Sequence, residues 1–381
     1  MVTIYSDFSD TKHLQYVANH IFCAVLGTEF TITADKAAFL AADGPCVNYS
    51  DADLGHGIQI VPNDSSDIFS ASFDLLALRA EYQPTELDAH GRFKVENSPL
   101  YRQGLLETPV IDRWAYTLKD ELGKAGYSTA DFIPRKYRAV CTYDLDFPFK
   151  HLKEGLLKFV GKSLRDLSNG NYKLFWERLN THLRKIRDPY YFAMWRIDDA
   201  HRQWAHPYIL FKFDKFVPYL KYLHHTEKIG VHVSGRVKRA TSESERVHFL
   251  KIHTPDTFRN LLKAGFKDDY SLAFANAAGF RSGTAVPHPF YDLERDEVTD
   301  LIIHPTVMMD ATYMAHQKIT PEDALAKIKQ LIDACKQSGG DYVSLWHNSN
   351  LAGTAAENPW LKVYLESTQY AISLENATYI K

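Results

Sequence analysis

The sequence predicts an α/β fold: a sheet of parallel strands with helical crossovers from about residue 133 onward, preceded by a smaller mixed α/β unit. Three observations lead there. From Tyr137 on, short apolar runs alternate with capped helical stretches, the pattern of repeated strand–helix units. Four of those apolar runs carry acids or histidines at or near their ends, namely Asp144 with Asp146, His232, His248 and His347. In folds of this kind active sites gather where strands end. Finally, the pattern changes at Ile133-Pro134-Arg135, which sets the expected domains at residues 1–132 and 133–381.

In the first unit, Leu14, Val17, Ala18, Ile21 and Phe22 recur at helical spacing after a Ser-Asp-Thr start, and Gly27 closes that helix. Phe30–Thr33 and Gly57–Val61 alternate like strands, Ile68–Leu78 reads as an apolar helix, and Gln83–Asn97 as a polar loop. Trp114–Leu122 returns to helix, stopped by Gly123 and Gly126. No cluster of catalytic residue types stands out in this half.

In the second unit, Tyr137–Tyr143 reads as a strand, Tyr172–Ile186 as a helix, and Tyr208–Phe213, Ile229–Val233 and Val247–Ile252 as strands. A helix starts at Thr254-Pro255 and stops at Gly265. Thr320-Pro321-Glu322-Asp323 opens another, with a hydroxyl cap, a proline in the first turn and acids at the positive dipole end. Leu325, Ile328, Leu331, Ile332 and Cys335 form its buried stripe; Gly339-Gly340 ends it, and Tyr342–Trp346 is the next strand.

Composition narrows the function. The 381 residues are 45% hydrophobic and 24% charged with a formal net charge of −3, ordinary for a globular protein with a sizeable core. Such a balance gives no reason to expect nucleic acid or an anionic membrane as partner. The short basic cluster Arg236, Lys238 and Arg239 reads as a solvated loop. No run approaches the roughly 20 apolar residues of a membrane span. The start MVTIYSDFSD lacks the basic and apolar regions of a signal peptide, so a cytoplasmic location is expected. Cys23, Cys46, Cys141 and Cys335 show no CxxC spacing and read as buried free thiols. Motifs of nucleotide-binding loops, of the GxSxG elbow and of HExxH are absent.

What remains is the set of strand-end side chains. Asp144 and Asp146, two apart, share one face if the strand continues that far. A convergent carboxylate pair can divide the work, one binding a cation and the other taking a proton from water. Imidazoles on separate strands with a carboxylate suit Zn²⁺ and related ions. Arg246 and Arg281 are the cations expected to orient a catalytic carboxylate, Arg281 from the glycine-flanked loop Gly279–Thr284.

These segments, in order, resemble the polysaccharide deacetylase superfamily: Thr142-Tyr143-Asp144-Leu145-Asp146, Gly230-Val231-His232-Val233-Ser234, Arg246-Val247-His248-Phe249-Leu250, Gly279-Phe280-Arg281-Ser282-Gly283-Thr284 and Val343-Ser344-Leu345-Trp346-His347-Asn348. More narrowly they resemble a bacterial branch with an N-terminal domain of unknown function, whose motifs are similar to Asp67–Phe73, Asp88-Ala89-His90-Gly91-Arg92-Phe93 and Pro109–Trp114. The resemblance implies a distorted (β/α) barrel that removes acetyl groups from a saccharide with a divalent metal, Zn²⁺ being the expected ion. It implies Asp144 as base, Asp146, His232 and His248 as metal ligands, Arg246 as the residue orienting the base, and His347 as the acid that protonates the leaving group. Two departures stand out. Leu145 separates two acids that are adjacent in the family's pattern, which leaves open which of them is the base. The family's second motif has a further histidine where this chain has Gly235-Arg236-Val237, and His248 replaces it in this assignment. The substrate expected is an N- or O-acetylated carbohydrate. The alternatives are a non-catalytic carbohydrate-binding protein using Trp195, Trp204 and Trp346 around the cleft, and an amidohydrolase acting on a non-sugar substrate.

Overall fold

Two sheets that share no strand organise the chain. The structure, a computed structural model, describes residues 1–152, 155–213, 223–235, 237–354 and 356–379. The first sheet contains β1 (Val2–Tyr5), β2 (Phe30–Thr33), β3 (Cys46–Tyr49) and β4 (Ile58–Ile60). Its order is β2-β1-β3-β4, parallel throughout. Val2 and Ile4 lie on one face of β1 and are fully buried against the helix Lys12–Ala18 and its neighbours. The helix Ile68–Leu76 begins where Asp67 accepts from the amides of Phe69 and Ser70, both at 3.0 Å, and turns Phe69 and Phe73 into the same core. Gly27 has a positive φ of 63°, and a side chain there would run into the Ile133 carbonyl, so the chain leaving this unit passes where only glycine fits.

The second sheet has nine strands: β5 (Arg138–Leu145), β6 (Tyr208–Lys212), β7 (Thr226–Val233), β8 (Ser244–Val247), β9 (Asp268–Asp269), β10 (His288–Asp292), β11 (Glu297–Ile303), β12 (Thr306–Met309) and β13 (Asp341–His347). Its order is β10-β11-β9-β8-β7-β6-β5-β13-β12, and every pair is parallel except β10 with β11. The α/β class expected from the sequence is thus the one observed.

This sheet is curled into a half-barrel. Strands lie about 4.8 Å apart, so in a flat sheet β8 and β12, five places apart, would be separated by roughly 24 Å. Yet the Arg246 guanidinium on β8 lies 3.4 Å from the Thr306 hydroxyl on β12. The Thr306 amide also donates to the Leu272 carbonyl at 3.1 Å, which returns β12 to the chain just past β9. The C-terminal ends of the parallel strands therefore converge on one mouth.

Several elements differ from the sequence reading. The run Val247–Ile252 is not a strand: β8 stops at Val247, and a tight turn with positive φ at Phe249 and Leu250 follows. The β5–β6 connection carries three helices, Leu156–Ser168, Tyr172–His182 and Pro189–Trp204, where one was expected. All four cysteines are free, but Cys23 is exposed because its position falls on the outer side of its helical turn. Arg236 lies outside the described residues. Among the described residues no helix is long and apolar enough to cross a membrane. The core of the first half extends into Phe274, Val286 and Tyr291 of the second, so the two halves meet across an apolar contact.

Candidate metal centre

Strand alternation builds the site from β5. Tyr143 points away from the mouth, its hydroxyl 2.7 Å from His201 and 2.9 Å from Tyr364. Thr142 and Asp144 share the opposite face, and Asp146 follows one step past the strand end. Asp144 is buried, and its Oδ1 accepts from Arg246 Nη1 at 2.9 Å.

Arg246 is fully buried and held on every side. Its Nε donates to the Tyr270 carbonyl at 2.9 Å and Nη1 also donates to the Thr142 hydroxyl at 2.7 Å. The guanidinium stacks 4.5 Å from the centre of the Phe211 ring. That ring occupies the space a side chain at residue 230 would need: a Cβ on Gly230 would stand 2.4 Å from it. Glycine on β7 thus lets an aromatic floor support the arginine that fixes Asp144.

His232, near the end of β7, is buried, and its Nδ1 lies 3.0 Å from the Arg246 carbonyl. A carbonyl only accepts, so Nδ1 carries the proton and Nε2 presents a lone pair. Nε2 faces Asp146 Oδ1 at 3.2 Å and Asp144 Oδ2 at 3.7 Å. Both His232 Nε2 and Asp146 Oδ1 are buried without a hydrogen-bond partner. Two acceptors facing each other out of solvent are satisfied by a cation between them or by a second proton on the imidazole, and the first suits a third donor close by. His248, the first residue after β8, brings its Nε2 to 3.6 Å from the same Asp146 oxygen. One donor atom from each of Asp146, His232 and His248 lies within 4.8 Å of the others. Ligands at about 2.1 Å from a tetrahedral ion stand roughly 3.4 Å apart, so the donors are near coordination spacing. Their number matches a catalytic ion, which keeps a position free for water or substrate. Burial pushes the Asp146 carboxyl up, but the imidazoles of His232, His347 and His248 around it outweigh burial and hold it below its ordinary range. For His248 burial comes first and, with the His232 imidazole nearby, lowers its pKa, which favours the neutral ligand form.

His347 closes β13. Its Nε2 is 3.9 Å from Asp146 Oδ2, and its Nδ1 is 2.7 Å from Asp310 Oδ1, while its amide donates to Asp310 Oδ2 at 2.8 Å. Burial works against its charge, but the Asp310 carboxylate overrides it and raises the pKa to about 9. Asp310 is fully buried and was not singled out from the sequence. The signal was present, since it directly follows β12 as Asp146 follows β5 and His248 follows β8, but Thr306–Met309 was not recognised as a strand.

A cleft of about 270 Å³ opens over Asp144, Asp146, His248 and His347. Of the seven residues expected at the site, Asp144, Asp146, His232, Arg246, His248 and His347 come together. Arg281 does not. Its Nε and Nη2 donate to Glu81 at 2.8 Å, and Nη1 donates to the Ala273 carbonyl at 2.8 Å. The glycine-flanked loop that presents Arg281 faces the N-terminal half, so this arginine joins the two halves and touches neither site carboxylate. The tryptophans expected around the cleft also lie elsewhere. Trp346 is buried against Tyr364, Trp204 packs beside His201, and Trp195 lines a separate opening with Arg187 and Tyr191.

A family described as of unknown function (DUF7033) matches residues 2–65 and 62–126. No curated protein matches the sequence. A crystal structure from Mycobacterium smegmatis, described as a candidate polysaccharide deacetylase, is similar at 11% identity and a TM-score of 0.39, over 62% of this chain and 84% of that one.

Proposed function

We propose that the chain is a metal-dependent hydrolase that removes acetyl groups, amide- or ester-linked, from a carbohydrate. The curled sheet is, in this reading, the distorted (β/α) barrel of the polysaccharide deacetylases, and residues 133–381 form its catalytic domain behind an N-terminal domain of residues 1–132. The observation that carries the reading is the pair of buried, unpartnered acceptors His232 Nε2 and Asp146 Oδ1, with His248 beside them and an acid–base pair, Asp144 and His347, on either side.

A divalent ion held by Asp146, His232 and His248, with Zn²⁺ suited to these donors, would polarise the acyl carbonyl and make water easier to ionise. Asp144, fixed in direction by Arg246, is the base that takes the proton of the attacking water. The Asp310 carboxylate on Nδ1 favours the protonated form of His347 and aims Nε2 into the cleft, where it protonates the departing amine or alkoxide. The motif order in the sequence supports the carbohydrate as substrate, and the Phe249 ring, 61% exposed at the rim, offers a face for a sugar ring.

The test is acetate release from acetylated amino-sugar and acetylated neutral oligosaccharides by the zinc-loaded protein. Release that chelation removes and zinc restores, and that Asp144→Asn and His347→Ala abolish, is expected. Wild-type rates in both variants would remove these residues from the chemistry.

A further inference from the structure

The N-terminal half, whose role the sequence left open, reaches the mouth of the metal centre through one loop. Asp88 builds that loop: its Oδ1 accepts from the amides of His90 and Arg92, both at 2.8 Å, and its Oδ2 from Arg92 Nε at 2.6 Å. Gly91 at the tip has a φ of 76° and packs so closely that a Cβ there would stand 3.3 Å from the His253 ring and 3.9 Å from the Lys251 side chain. The preformed turn aims Arg92 into the same cleft that holds Asp144, Asp146 and His347. Arg92 Nη1 donates to the Phe249 carbonyl at 2.9 Å, and Nη2 has no protein partner among the described residues.

Phe249 stands between this cleft and a second one of about 460 Å³, lined by Lys251 and His253. Apart from Asp144 and Asp146, which face Arg246 and the metal ligands, the charged side chains lining both clefts are basic: Arg92 and Lys251, with His253 and His316 beside them. Arg92, whose Nε is held by Asp88 and whose Nη1 is held by the Phe249 carbonyl, keeps Nη2 for a ligand, and with the Lys251 ammonium on the other side of the exposed Phe249 ring it suits an anion on a sugar.

Resting on the hydrolase reading for the identity of the site, we propose that the Asp88–Phe93 loop and the Phe249–His253 segment form an anion-binding subsite that receives a carboxylate-bearing sugar next to the acetylated one. Arg92 clamps the carboxylate, Lys251 adds charge along the second cleft, and Phe249 carries the ring. The N-terminal half is then part of substrate recognition.

The experiment is calorimetric binding to the full-length, zinc-loaded protein. The probes are an oligosaccharide alternating N-acetylglucosamine with glucuronic acid, its carboxyl methyl ester, an N-acetylglucosamine oligomer of equal length, and a sulfated neutral oligomer. The acidic form should bind the wild-type protein at least tenfold more tightly than its methyl ester. Arg92→Gln should erase that ratio, Arg92→Lys should keep part of it, and Lys251→Gln, whose ammonium makes no ion pair or hydrogen bond among the described residues, should reduce it. Equal affinity for acid and ester in the wild-type protein, or an undiminished ratio in both Arg92→Gln and Lys251→Gln, overturns the proposal. Preference for the sulfated oligomer over the uronate also overturns the carboxylate assignment. The same titrations repeated in Asp144→Asn, which should not turn the probes over, read affinity apart from hydrolysis, so absent acetate release would count against the hydrolase reading alone.

Discussion

Asp310→Asn separates a residue that aims the acid from one that merely packs. Asp310 accepts from four donors: His347 Nδ1 at 2.7 Å, the His347 amide at 2.8 Å, Asn350 Nδ2 at 3.0 Å and the Ala311 amide at 2.6 Å. An asparagine of the same size keeps one acceptor oxygen and turns an NH₂ toward donors, so the charge-assisted bond to His347 is lost. Such a bond is worth about 1.5–3 kcal/mol, which corresponds to roughly 10- to 150-fold in rate when it acts in the transition state. His347 also loses the carboxylate that holds its pKa up at about 9, so the alkaline limb of the rate profile should move to lower pH. The assay compares kcat on an acetylated amino sugar, whose leaving amine needs a proton, with kcat on an aryl acetate, whose leaving group does not. The amino-sugar rate should fall by the full factor and the aryl acetate rate by no more than about threefold, with bound zinc unchanged. Equal losses on both substrates, or an unshifted profile with wild-type kcat, would refute the aiming role.

Two further predictions concern stability. Arg281→Met leaves Glu81 buried without its partner, the two side chains being 2% and 6% exposed; this should cost about 3–5 kcal/mol by denaturant unfolding while zinc binding persists, and wild-type stability would contradict the buried pairing. Glu177 is pushed up by burial but held down to about 2 by His151 and Lys150, below its usual 4.5, so its contribution is present above pH 4.5 and is lost as pH falls toward 2. Screening at this half-buried site leaves about 1–2 kcal/mol, so melting temperatures should fall more between pH 5 and 3 in the wild-type protein than in Glu177→Gln; parallel falls would contradict it.

The sequence carried the site better than it carried the fold around it. Asp144, His232 and His347 were legible because each stands at or beside the end of an apolar run, and β5, β7 and β13 are strands of eight, eight and seven residues. β12 was not legible: it is only four residues long, and Asp310 went unnoticed with it. His248 was expected inside a strand and instead starts a turn, because positive φ at Phe249 and Leu250 is a tertiary feature that neither residue type announces. Helix Leu156–Ser168 went unread although Leu156, Val160, Leu164 and Leu167 recur at helical spacing, and its apolar stripe faces outward. Arg281 misled for a different reason: a glycine-flanked arginine looks alike whether it faces a catalytic carboxylate or Glu81 of another unit. Arg92 lay in a polar loop whose Asp88–Phe93 motif was singled out without a role, and long-range packing against Phe249 is what gives it a place at the cleft.

The most direct test is the metal content of the purified full-length protein after zinc loading and dialysis, measured beside Asp146→Ala, His232→Ala, His248→Ala and Asp144→Asn. One zinc per chain is expected in the wild-type protein and in Asp144→Asn, with each of the other three losing most of it, since removing one of three ligands costs much of the affinity. Zinc kept at full occupancy by His232→Ala, or no zinc held by the wild-type protein, would contradict the metal centre on which the account rests.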